Sequence, residues 1–272
     1  MKTVIAAIDF SPASRNAARY AADLAVSLKA DLLLVNVVEM PVTIGEVPQS
    51  GYALDQIVND SERELIMIKD ELVKYVADKI DVDITVPVGS ITYSLQEEAR
   101  QENACCLVLG TDSLTPAEHL LIKNHALATV RSVSVPVLIV PPGSSFTTIK
   151  KIVLAVDLNN IEKIPGLNSL KEWMKAFSAD LDIVSVVKGG ESKAIAVARS
   201  HALKHEFAEF HPEFHFIYED EVKKAIDTYI QKNDPDMLVT LPGNYSFFSG
   251  LFHKSQSKRL IRETRIPVLA IP

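Results

Sequence analysis

"CCLVLGTDSL" at Cys105–Leu114 and "VRSVSVPVLIVP" at Val130–Pro141 return, 131 positions later, as "DMLVTLPGNY" at Asp236–Tyr245 and "IRETRIPVLAIP" at Ile261–Pro272. The register runs without a gap from Gly89–Pro141 onto Asp220–Pro272, with Leu107/Leu238, Val108/Val239, Lys123/Lys254, Arg131/Arg262, Pro136/Pro267, Val137/Val268 and Leu138/Leu269 identical. The beginnings match too: "KTVIAAIDFS" from Lys2 and "KKIVLAVDLN" from Lys150 are apolar runs that each end in an aspartate, Asp9 and Asp157. A domain typically has ~100 to 150 residues, so the repeat predicts two related domains rather than a short-period solenoid. We place them at residues 1–142 and 149–272, joined around the linker "PPGSSFTT" at Pro141–Thr148. Any ligand site is then expected twice.

Working outward, Val4–Ile8 is a short apolar run, followed by Ser11-Pro12 and by Ala17, Ala18, Ala21, Ala22, Leu24, Ala25 and Leu28 at helical spacing. This predicts a strand, an N-cap at Ser11, Pro12 in the first turn, and a helix. Further strands are expected at Leu32–Val38, Asp83–Val88, Cys105–Gly110 and Val137–Val140. Helices are expected at Gln56–Lys79, Thr92–Glu102 and up to Val133, with a loop "EMPVTIGEVPQSGYALD" before the first of these. The second half repeats the order: strands Ile152–Val156, Leu181–Val187, Glu213–Tyr218, Met237–Leu241 and Val268–Ile271, helices Ile161–Phe177, Ser192–Glu206, Val222–Lys232 and Ser255–Glu263. Alternation of this kind predicts parallel sheets covered on both faces, an α/β doubly wound class. The terminal strands are apolar on both faces and lie at corresponding edges, where they are expected to pair as an internal pseudo-dimer.

With 47% hydrophobic and 23% charged residues the chain can bury two ordinary cores. No apolar run approaches the ~18 residues that would cross a bilayer, and Asp9 follows the first apolar stretch where a signal peptide would continue, so a cytoplasmic protein with no membrane partner is expected. Cys105 and Cys106 are adjacent on a strand and point to opposite faces, which predicts reduced thiols. A net charge of -7 argues against a nucleic-acid partner. Lys254, Lys258, Arg259, Arg262 and Arg265 are read as a solvated helix face.

The segments "AIDFSPASRNAARYAADLA", "LLLVNVVE", "CCLVLGTDS" and "VPVLIVP" together resemble the universal stress protein (UspA) family, and the resemblance extends over both halves. It implies Rossmann-like, adenine nucleotide alpha hydrolase-like domains with strand order 3-2-1-4-5, two per chain. In the ATP-binding branch of that family adenosine lies between the ends of the first two strands. The phosphates sit on a loop patterned Gly-x2-Gly-x9-Gly-Ser/Thr after the fourth. Carried onto this chain, Asp9, Val37 and Gly110 match in the first copy, whereas Ser113, Lys123 and Asn124 stand at the second glycine, the third glycine and the hydroxyl position. In the second copy Asp157 and Val186 take the nucleoside positions; Leu241, Asn244 and Lys254 replace the glycines, and Ser255 matches. A Cβ at such positions keeps the backbone away from phosphate, so the cradle reads as degenerate in both copies. Lys123 and Lys254 could still present a charge to an anion. Asp9 and Asp157 have a purely structural alternative, capping the turn that follows the strand.

Two further features stand out. His201, His205, His211 and His215 crowd into one stretch with Glu206, Glu209 and Glu213. The i, i+4 pair and the alternation of His211, Glu213 and His215 suit a transition metal, and solvated histidines are the plainer reading. "YSFFSGLFHKS" at Tyr245–Ser255 places Phe247, Phe248 and Phe252 over a cleft, at a domain interface or on a partner surface. No nucleophile elbow, P-loop or His-Glu-x2-His motif is present. The expectation is a non-enzymatic stress-response sensor or interaction protein, with a homodimer and an unidentified protein as partners. The alternatives are an adenine-nucleotide (ATP) binding regulator using Asp9, Val37, Gly110 and Ser113, with weak ATPase activity left open, and a metal-dependent enzyme using the histidines.

Overall fold

The computed structural model describes residues 2–39, 51–111, 129, 132–158, 166–187, 193–241 and 266–272. The chain forms two compact units, Met1–Phe146 and Thr147–Pro272. The first contains β1 (Thr3–Ala7), α1 (Pro12–Leu28), β2 (Asp31–Val35), α2 (Gly51–Val76), β3 (Val82–Thr85), α3 (Ile91–Gln101), β4 (Ala104–Gly110) and β5 (Val137–Val140). All its strand pairs are parallel, in the order β3-β2-β1-β4-β5. The second contains β6 (Lys151–Ala155), α4 (Leu167–Phe177), β7 (Asp180–Val187), α5 (Lys193–Glu206), a 3-10 turn at Ala208–Phe210, β8 (Glu213–Tyr218), α6 (Val222–Asn233), β9 (Met237–Thr240) and β10 (Val268–Ala270). Its order, β8-β7-β6-β9-β10, is the same doubly wound pattern, again with parallel pairs.

The strands are nearly continuous hydrophobic runs because a parallel sheet is covered on both faces. Val4, Ile5, Leu34, Leu107 and Val108 in the first unit and Ile152, Val153, Leu154, Leu238 and Val239 in the second are almost wholly buried. Each such side chain contributes about 1.5–3 kcal/mol relative to exposure. Helix α1 meets the sheet with small residues, Ala13, Ala17, Ala18, Ala21, Ala22 and Ala25, all buried, so its backbone can lie close to β1 and β4. Its start is as the sequence predicts: Ser11 is extended and its side chain accepts the N–H of Ser14, with Pro12 in the first turn.

Two helix starts differ from expectation by more than one residue. α2 begins at Gly51 rather than Gln56. The glycine and prolines upstream read as a loop, yet from Tyr52 onward the sequence carries residues a helix accepts. α4 begins at Leu167 rather than Ile161, preceded by Gly166 at φ 87°. A Cβ on Gly166 would stand 2.5 Å from Ile271 Cγ2 and 3.0 Å from the Pro272 carbonyl oxygen, so this left-handed turn is open to glycine alone. Cys105 and Cys106 are both free thiols, the second fully buried. Burial and the neighbouring cysteine leave the Cys106 thiol protonated, its pKa raised by the hydrogen bond with Cys105 first and by burial second. Of the helix expected up to Val133 only its end is described, where Val133 donates its N–H to the Thr129 carbonyl at 2.9 Å; the helix expected at Ser255–Glu263, most of the 39–55 loop, the aromatic loop and the basic face lie outside the described residues.

Candidate functional site

In a sheet of this order a ligand cleft forms at the carboxyl ends of the strands, where the chain switches sides. In the first unit that place is built by the turn Asp9-Phe10-Ser11 after β1. Ile8 still belongs to the sheet, donating its N–H to the Val35 carbonyl at 2.8 Å. Phe10 then takes φ 64°, a left-handed conformation costly for an aromatic residue, and the chain turns into α1. The Asp9 carboxylate holds this turn: its Oδ1 accepts the Ser11 N–H at 3.0 Å and the Ser11 hydroxyl at 2.5 Å. The Ser14 hydroxyl accepts the Asp9 N–H at 3.3 Å and donates to the Ser11 carbonyl at 3.1 Å. Partial burial pushes the Asp9 carboxyl up, but the Ser11 and Ser14 hydroxyls and the Ser11 N–H outweigh it, so the carboxyl titrates below its usual range.

The second wall is the end of β2. Asn36, buried, donates its side-chain N–H to the Ile8 carbonyl at 2.7 Å and ties the two strand ends together. Val37 beside it is half-buried, and Val38 continues the sheet by exchanging bonds with Pro87 and Gly89. Gly110, at the end of β4, faces the first turn of α1. A Cβ there would lie 2.4 Å from the Ala13 carbonyl oxygen and 2.9 Å from the Ser14 nitrogen. The missing side chain of Gly110 is therefore occupied by the helix backbone, a close approach of helix to strand that no other residue permits. Ser113, Lys123 and Asn124, the remaining first-copy positions, lie outside the described residues.

The second unit turns differently. Val156 donates to the Val184 carbonyl at 3.0 Å, as Ile8 does to Val35, so Asp157 and Val186 do occupy positions equivalent to Asp9 and Val37. Both are half-buried. Residues 156–166 separate β6 from α4, against residues 8–11 between β1 and α1, and α4 has 11 residues where α1 has 17. Leu241, buried, stands where the first unit has Gly110. In the first unit a Cβ at this point would collide with the helix start. Lys254 and Ser255 lie outside the described residues.

The four histidines do not converge. His201 and His205 lie exposed on α5, and His211 is exposed after the 3-10 turn. His215 alone joins a cluster, with Glu213 of its own strand and Asp182 of β7. Sequence reasoning missed Asn36, Ser14 and Asp182. Each is a single polar residue inside an apolar or alanine-rich run, a signal that is legible once every such residue is asked for a partner.

The sequence pattern of the universal stress protein family matches residues 1–141 and again residues 148–272. The chain belongs to this family. A universal stress protein from Archaeoglobus fulgidus DSM 4304 has a similar structure, with 14% identity, 98% of this chain and 97% of that one covered, and a TM-score of 0.72. A putative universal stress protein from Pseudomonas aeruginosa UCBPP-PA14 follows at 15% identity, 99% and 92% covered, with a TM-score of 0.56. These likenesses show the fold, two universal stress protein repeats in one polypeptide. A shorter family member from Arabidopsis thaliana, solved with AMP bound, has 15% identity and covers 53% of this chain with 94% of its own length, at a TM-score of 0.35. No curated protein matches the chain.

Proposed function

We propose that this tandem universal stress protein is a non-enzymatic stress-response protein that acts as a sensor or through a protein partner, with the family's phosphate cradle degenerate in both copies. The observation that carries this reading is Gly110. Its open side is filled by the backbone of Ala13 and Ser14, so the one cradle glycine kept in the first unit has a packing reason to be there. Asp9 likewise spends Oδ1 on Ser11, a turn-capping role that needs no ligand. In the second unit Leu241, buried, stands in place of the glycine. Equilibrium binding of fluorescent ATP to the purified full-length chain tests this. No saturable binding in the micromolar range is expected; micromolar binding abolished by Asp9→Ala would overturn it.

A second reading, adenine-nucleotide binding in the first unit, draws on one observation: Asp9 and Val37 both reach the surface at adjoining strand ends, with Asn36 bracing them from beneath. It uses the same assay with the opposite outcome. The proposal also includes the pairing of β5 and β10, the last strand of each repeat and each wholly apolar, as the contact that makes a built-in pseudo-dimer.

A further inference from the structure

The far end of the second unit's sheet, at the amino ends of the strands, carries polar side chains that the proposed function does not use. Asp182 is the third residue of β7; its register partner on β8 is Glu213, and Val184 pairs with His215. Side chains two apart on a strand share a face, so Asp182, Glu213 and His215 stand together. Asp182 has only 6% of its side chain exposed, a costly place for a carboxylate. Its Oδ2 accepts the Tyr229 hydroxyl of α6 at 2.8 Å and lies 3.7 Å from Lys151 Nζ. Its Oδ1 faces the other way, 3.7 Å from His215 Nε2, and Glu213 Oε2 lies 3.8 Å from the same nitrogen. That Nε2 is closed off from solvent and has no hydrogen-bond partner among the described residues.

Comparison of the repeats shows that the fold does not demand this arrangement. The backbone equivalence of Val35 and Val184 places Leu33 at the Asp182 position and Thr85 at the His215 position, and Leu33 is an ordinary buried core residue.

We propose that Asp182 Oδ1, Glu213 Oε2 and His215 Nε2 form a binding site for one zinc ion. The three donor atoms lie within 4.8 Å of one another. Ligands at ~2.0–2.2 Å around a tetrahedral zinc are roughly 3.4 Å apart, so the two contacts of Nε2 need to shorten by only a few tenths of an ångström. One nitrogen and two carboxylate oxygens are a donor set that zinc accepts, and three protein ligands leave the fourth position to water. The Tyr229 hydroxyl is the outer-shell partner that orients Asp182, and the tilted ring of His215 rests 5.0 Å from that of Tyr229. Glu213, 78% exposed, gives the ion its way in.

The test titrates zinc, and cobalt as its coloured substitute, into the metal-free full-length chain. The titration is repeated with His215→Gln and with Glu213→Gln, whose exposed side chain can change without disturbing the core. One zinc per chain is expected, with affinity more than roughly tenfold weaker in each variant, together with the visible bands of tetrahedral cobalt in the wild type and their loss in the variants. Circular dichroism confirms folding; should His215→Gln unfold, Glu213→Gln decides. Absence of binding to the wild-type chain, or binding that neither substitution weakens, as exposed His201, His205 and His211 would give, overturns the proposal.

Discussion

At the scale of single residues, the turn after β1 depends on three side chains acting together. Ser11→Ala removes both the helix cap and the hydroxyl on Asp9, and should cost about 1 kcal/mol in urea unfolding. The Asp9 carboxyl is depressed in the folded state, so its contribution is complete above the unfolded value of ~3.9 and is lost as pH falls through the folded one. Carbon-detected titration should find Asp9 below that value in the wild type and shifted upward in Ser11→Ala; an unchanged titration would remove the serine from the account. Gly110→Ala should destabilise by roughly 1–3 kcal/mol through overpacking against Ala13, whereas Gly143→Ala, with open space around it but φ 71°, should lose about 1 kcal/mol to backbone strain alone. A smaller loss at Gly110 than at Gly143 would contradict the close approach seen at Gly110.

At the scale of elements, four helices are followed directly by left-handed residues that are not glycine: Lys29 after α1, Ala77 after α2, Ser178 after α4 and Asp234 after α6, with φ of 52°, 52°, 51° and 44°. Lys29→Gly should raise stability by roughly 0.5–1 kcal/mol, since glycine enters this conformation without the Cβ clash; a drop in the unfolding midpoint would refute this. Tyr229 binds α6 to β7 through Asp182. Burial first and the Asp182 hydrogen bond second raise the phenol's pKa far above its ordinary value. Its contribution is therefore full below the unfolded value of ~10 and is lost as pH climbs from there toward the folded one. Tyr229→Phe should flatten the alkaline branch of the stability profile and cost about 1–3 kcal/mol near neutrality, leaving Asp182 one donor short. Strands Val137–Val140 and Glu213–Tyr218 could be read to the residue because apolar runs bounded by proline or charge have sharp ends. The start of α4 could not: a left-handed Gly166 is decided by Ile271 and Pro272, about a hundred positions away, and no local pattern carries that contact. For the histidines, proximity along the chain offered four candidate ligands beside the plainer reading of solvated side chains, while the sheet register brings His215 to Asp182 from a different strand and leaves the others on the surface.

At the scale of the whole molecule, the repeat made two domains of one fold legible from the first, and the twofold family match and the repeated strand order agree with it. What duplication could not tell was which copy kept which chemistry, since side-chain register and helix starts diverge where the backbone order does not. The proposed pairing of β5 and β10 has its own test on the intact chain. Amide hydrogen exchange at residues 137–140 and 268–270 should be as slow as in β1 and β6, the central strands of their sheets; free edges would exchange within the range of loops. The turn at residues 9–11 is gripped from both directions, by β1 between its two neighbouring strands and by α1 wedged against Gly110. Such a wall has no slack with which to mould itself to a visitor. Whatever enters that cleft meets a mould already set, spends no entropy on ordering this side of it, and is selected by fit rather than by accommodation.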